Sequence, residues 1–115
     1  MLDLRRKNES RMDNAKARIG IGIPYEVEKG WGKELIFASN KDYCGKLLIF
    51  EKGKKMSMHF HAKKTETWYL FKGKVEVSMI DTKTAEVFSS EFEEGEKMNI
   101  YPFHPHTILA LEDSI

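Results

Sequence analysis

The 115-residue chain has a single cysteine, Cys44, so no disulfide can form within it. A reducing, cytoplasmic setting is the simplest expectation for such a chain. No apolar run is long enough to cross a bilayer, and no basic start leads into an apolar signal core. Charge of one sign is not in excess either. The formal net charge is +1, which gives no reason to expect a nucleic-acid or membrane partner. Beyond the first twenty residues no stretch shows helical periodicity.

The chain instead contains short apolar segments punctuated by turn residues. Hydrophobic residues make up 41% and charged residues 32%, enough for one core with a well-solvated surface. Residues 1–20 form a charged arm, with Arg5, Arg6, Lys7, Arg11, Lys16 and Arg18 against Asp3, Glu9 and Asp13. The arm lacks the interleaved aromatics that base stacking needs, so a solvated arm or a short helix on a neighbouring subunit is expected. The domain proper is placed at residues 21–115. Strands are predicted over 27–29, 34–38, 43–51, 56–61, 67–71, 75–80, 87–92, 98–101 and 107–111. Lys72-Gly73-Lys74 reads as a tight hairpin turn. Many short strands at regular spacing predict an all-β sandwich or barrel.

The chemistry concentrates in the histidines. His59 and His61 stand two apart on a predicted strand, and side chains at i and i+2 share a face. Glu66 follows a short polar loop at the start of the next strand, between apolar stretches where an unpaired carboxylate is costly. His106 lies on a later strand that can close the set. Nitrogen and oxygen donors of this kind suit one divalent ion: zinc first, with manganese, iron, cobalt or nickel as alternatives.

The spacing Gly53, His59, His61, Glu66, Gly73 resembles the first motif of the cupin superfamily, and residues 95–106, with Pro102 and His106, resemble the second. Phe103 stands where that motif usually has glycine, which predicts a less tightly turned loop before His106. The resemblance implies a double-stranded β-helix, or jelly-roll barrel, with His59, His61, Glu66 and His106 as ligands to one metal ion.

A narrower set, Trp31-Gly32, Lys46, Gly53, Ser57, His61, Glu66, Trp68 and Gly73, is similar to the cupin domain of type II mannose-6-phosphate isomerases. Many of those have glutamine where this chain has His59. The nucleotidyltransferase domain that often precedes that cupin is not in this sequence, so a stand-alone cupin is expected. The likeness implies a metal-dependent sugar-phosphate isomerase. His104 is then a candidate proton-shuttling base and Lys46 a group for phosphate binding or charge stabilisation. Trp68, with Tyr69 and Phe71, can line a sugar pocket, and Lys64, with Lys63, can attract the phosphate. A non-catalytic, metal-containing carbohydrate-binding cupin and an iron-dependent oxygenase are the alternatives. Relatives commonly carry a further strand after a segment such as 111–115, so a homodimer that pairs sheet edges or exchanges N-terminal segments is expected.

Overall fold

The computed structural model describes residues 20–60 and 62–115. Apart from Gly20, the charged arm lies outside the described residues, and so does His61.

Eight strands run β1 (Tyr25–Lys29), β2 (Gly32–Ser39), β3 (Cys44–Phe50), β4 (Glu66–Tyr69), β5 (Lys74–Ile80), β6 (Val87–Glu93), β7 (Lys97–Ile100) and β8 (His106–Ala110). There is no helix among the described residues. All pairings are antiparallel: β1-β2-β3 in one sheet, β4-β7 in a second and β6-β5-β8 in a third. This is the expected all-β, jelly-roll arrangement.

Alternation explains the best-formed strands. Val75 and Val77 are buried while Glu76 and Ser78, which alternate with them, are half-buried, as a strand with one face inward requires. Across the ladder Val75 meets Ala110, and Val77 meets the fully buried Ile108. Trp31, in the β1–β2 turn, stacks on Phe50 with ring centroids 4.2 Å apart. Each such large side chain taken from water contributes on the order of 1.5–3 kcal/mol.

Two expectations about connections are corrected. Lys72-Gly73-Lys74 does not close a hairpin, because β4 pairs with β7 whereas β5 pairs with β6 and β8. The turn carries the chain from one sheet to another. Gly73 has φ +98°, and a Cβ there would stand 2.2 Å from Ser114 Oγ and 2.5 Å from the Asp113 carbonyl. The glycine therefore lets the C-terminal segment pack against the crossover. Ser114 bridges to Phe50, and the Ile115 carbonyl accepts bonds from the amides of Phe71 and Lys72.

The strand expected over 56–61 is not a continuous strand in its described part. Residues 53–59 run beside β8 and meet it through two isolated bridges, Lys55 with Leu109 and His59 with His106. The amides of Gly53, Met56 and His59 donate to the carbonyls of Ala110, Ile108 and His106. The Thr107 hydroxyl takes up the Met56 carbonyl. Between the two bridges one side advances four residues and the other three, so one extra residue is accommodated as a bulge.

Candidate metal centre

The bulge decides which side chain enters the barrel. The register of the Lys55–Leu109 bridge, continued without interruption, sets Met58 opposite His106 and turns His59 to the other face. With one residue inserted, His59 is the partner. His59 and His106 exchange both backbone bonds, at 3.0 and 2.9 Å. Directly opposed residues of an antiparallel pair project to the same side. Their imidazoles accordingly meet, with centroids 4.4 Å apart and planes inclined by 59°.

Main-chain carbonyls orient both rings. His59 Nδ1 lies 3.0 Å from the Ser57 carbonyl and His106 Nδ1 lies 2.9 Å from the His104 carbonyl. A carbonyl only accepts, so in each contact Nδ1 is the donor, which leaves Nε2 as the ring's metal-binding nitrogen. Metal-ligating histidines commonly have the nitrogen far from the metal tethered in this way. The two rings therefore fit a divalent ion. His106 is 0% exposed, so its orientation is fixed by packing as well.

Glu66 opens β4 opposite Ile100, half-buried, and its Oε2 accepts the Trp68 indole N–H at 2.7 Å. The same indole stands edge-on to His106, with centroids 6.5 Å apart and planes at 84°. Trp68 thus touches two of the expected ligands. It also packs against the core, opposite Met98. Among the described residues no group of three or more His, Cys, Asp or Glu side chains is placed to hold a metal ion. His61, the remaining expected ligand, lies outside those residues.

The other expected site residues lie on separate strands and loops. Lys46 shares a face of β3 with Leu48 and Phe50, so it issues from the core side of its sheet. Its Nζ is 3.5 Å from Glu34 Oε2, and Lys29 reaches Glu34 Oε1 at 3.8 Å. Glu34 is buried, which explains why cations gather on it. His104 is exposed in the loop before β8, its Nδ1 2.9 Å from the Pro102 carbonyl. Lys63 and Lys64 are exposed in the loop before β4, as are Tyr69 and Phe71 at the end of β4.

The loop before His106 corrects a further expectation. Phe103 adopts φ +65°, the left-handed conformation a glycine would take there, so the turn is kept rather than loosened. A non-glycine residue in this region costs about 1–2 kcal/mol.

Three features were not singled out from the sequence: the Ser57 and His104 carbonyl tethers, the Trp68–Glu66 bond and the Glu34 counter-charge on Lys46. Only the second had a readable signal, since Glu66 and Trp68 stand two apart on a strand and share a face.

Residues 29–114 match the family described as Cupin. Comparison with curated proteins gives no match. Among solved structures, the chain resembles an S161A mutant of Bacillus subtilis oxalate decarboxylase OxdC, with 21% identity and a TM-score of 0.69, over 79% of this chain and 25% of that one. It also resembles the capsular polysaccharide assembling protein CapF from Staphylococcus aureus, with 19% identity and a TM-score of 0.70, over 79% of this chain and 26% of that one. A Lactobacillus farciminis oxalate decarboxylase formate complex matches at 20% identity and a TM-score of 0.68, over 79% and 28% of the two chains. The chain spans less than a third of the length of each, and at these identities the likeness is one of fold. No helix among the described residues is long and apolar enough to cross a membrane.

Proposed function

The chain belongs to the cupin family, and on that premise we propose that it is a metal-dependent sugar-phosphate isomerase in which His59, His61, Glu66 and His106 hold one divalent ion. The observation that carries the metal is the opposed pair His59 and His106, each with Nδ1 tethered to a carbonyl. The isomerase reading rests on the similarity of Trp31-Gly32, Lys46, Ser57, Trp68 and Gly73 to the cupin domain of type II mannose-6-phosphate isomerases.

Aldose–ketose conversion removes a proton from the carbon beside a carbonyl and returns it to the former carbonyl carbon, while the hydroxyl proton passes from the oxygen that becomes the new carbonyl to the oxygen of the old one. A bound divalent ion supplies a Lewis acid for that carbonyl. The chain's own part is a base and an anion clamp. His104, with Nδ1 donating to Pro102, offers a basic Nε2 and is the proposed base. Lys46 enters from the core side of β3, and a phosphate there has to compete with Glu34 for its ammonium. Trp68 supports Glu66, and Lys64 draws the anionic substrate towards the barrel.

The test is conversion of mannose 6-phosphate followed by NMR, on protein whose bound metal has been identified by mass spectrometry. Turnover that is lost on chelation and restored by one metal is the expected result. A fully loaded protein without turnover overturns the isomerase reading in favour of a binding module, and oxygen uptake dependent on iron overturns it in favour of an oxygenase. We also propose a homodimer: β6 is hydrogen-bonded only to β5 among the described residues, leaving an edge open to pairing. Light scattering at micromolar concentration is expected to give twice the monomer mass, and a monomer refutes it.

A further inference from the structure

We propose that Trp68 is a positioning residue for Glu66, its indole N–H holding one carboxylate oxygen so that the pair, rather than Glu66 alone, sets the affinity of the centre for a divalent cation. This rests on the reading of His59, Glu66 and His106 as ligands.

The bond from Nε1 to Oε2 is 2.7 Å, at the short end of the range for a charge-assisted contact. Its geometry follows from the sequence. Glu66 and Trp68 are two apart on β4, both half-buried on its inward face, with exposed Thr67 between them. The donor cannot easily swing away, because the ring is packed against the core and set edge-on to His106. An indole is a donor only and carries no charge. It therefore orients a carboxylate without neutralising it, unlike the lysines on Glu34. A ligating carboxylate needs both qualities: a fixed rotamer and a retained negative charge. The contact with His106 extends the effect, since one rigid ring spaces the carboxylate from the imidazole that β8 presents. With its N–H and one edge engaged in this way, Trp68 is less available as a platform for a sugar.

The experiment is zinc titration of metal-free protein by calorimetry, comparing wild type, Trp68→Phe, Glu66→Ala and the double variant. Loss of an outer-shell partner typically weakens metal binding by about 10–100-fold. Trp68→Phe is expected to bind zinc at least about tenfold more weakly, with the thermal midpoint of the metal-free protein little changed. In the Glu66→Ala background the same substitution is expected to cost almost nothing, which a merely structural role would not produce. A second readout needs no Trp68 variant. The chain has two tryptophans, and the Trp68 indole N–H resonance is expected to move on zinc addition and in Glu66→Ala, while that of Trp31 stays in place. Wild type that binds zinc with Trp68→Phe binding equally well, or an equal loss in both backgrounds, overturns the positioning role alone. Wild type that binds no zinc overturns the ligand reading and the inference together.

Discussion

The two glycines that bound the histidine motif are expected to fail differently when given a methyl group. Gly53 and Gly73 both lie at positive φ, +83° and +98°. A Cβ at Gly53 meets nothing within 4 Å, whereas at Gly73 it runs into Ser114 and the Asp113 carbonyl. In Gly53→Ala only the backbone term acts. That is about 1–2 kcal/mol of conformational strain, reduced by about 0.4–1 kcal/mol because alanine has less freedom to lose on folding. The net cost is roughly 0.5–1 kcal/mol. Gly73→Ala bears the same cost and must also displace the C-terminal segment. At risk are the Lys74 amide to Ser114 Oγ, the Ser114–Phe50 pair and the Ile115 bonds to Phe71 and Lys72. Losing two such bonds adds about 1–3 kcal/mol. For a chain of this size 1 kcal/mol lowers the melting temperature by about 4 °C. Thermal denaturation followed by circular dichroism is therefore expected to show a drop of about 2–4 °C for Gly53→Ala and about 6–16 °C for Gly73→Ala. Melting temperatures within a degree or two of each other would refute the role assigned to the Ser114 contact.

His104→Ala removes the proposed base but keeps the backbone carbonyl that tethers His106. Zinc affinity is expected to stay within about twofold of wild type while isomerase turnover falls by about 10²–10⁴. Unchanged turnover removes His104 from the base role. Lys74 donates to Glu91 at 3.1 Å and lies 3.7 Å from Glu93. Its pKa is raised above 10.5, first by the Glu91 hydrogen bond and charge, then by Glu93 and Glu112. A raised folded-state value means the stabilisation is complete below the unfolded value and is lost as pH rises through the folded one. The urea midpoint of wild type relative to Lys74→Met is expected to be higher at about pH 8 and to converge on it above about pH 11, whereas a constant difference would show that the charge is not responsible.

The strands were legible where alternation is clean, as in Val75, Glu76, Val77 and Ser78, because the two-residue period of a pleated strand is a local property. Their partners were not. Lys72-Gly73-Lys74 carries a local turn signal, but whether a turn closes a hairpin or crosses between sheets depends on which strand arrives later to pair. Here β7 takes β4, and β6 and β8 take β5. The reason for glycine at 73 lies forty-one residues further on, at Ser114. Lys46 is picked out by the family resemblance, but its counter-charge Glu34 is a diagonal neighbour across β2 and β3, visible only once the register is known. The family resemblance suggests a ring surface at Trp68, whereas the structure engages its N–H.

The histidines show how an expected grouping can rest on a step the fold does not take. Placing His59 on the inner face from strand period alone assumes an unbroken ladder, yet an unbroken ladder from Lys55 would have presented Met58. The bulge supplies the missing half-turn, and the paired backbone bonds to His106 then bring the rings together. His104 and His106 are also two apart, but Pro105 and the left-handed Phe103 keep His104 in a loop, outside the ladder. The ring of His104 turns back on Pro102 while its carbonyl fixes the tautomer of His106. The unusual φ at Phe103 thus has a consequence for the centre: it holds the turn that places the His104 carbonyl where the His106 proton needs an acceptor. The residue after the turn orients the His106 imidazole through its backbone carbonyl, while its own Nδ1 turns to the Pro102 carbonyl.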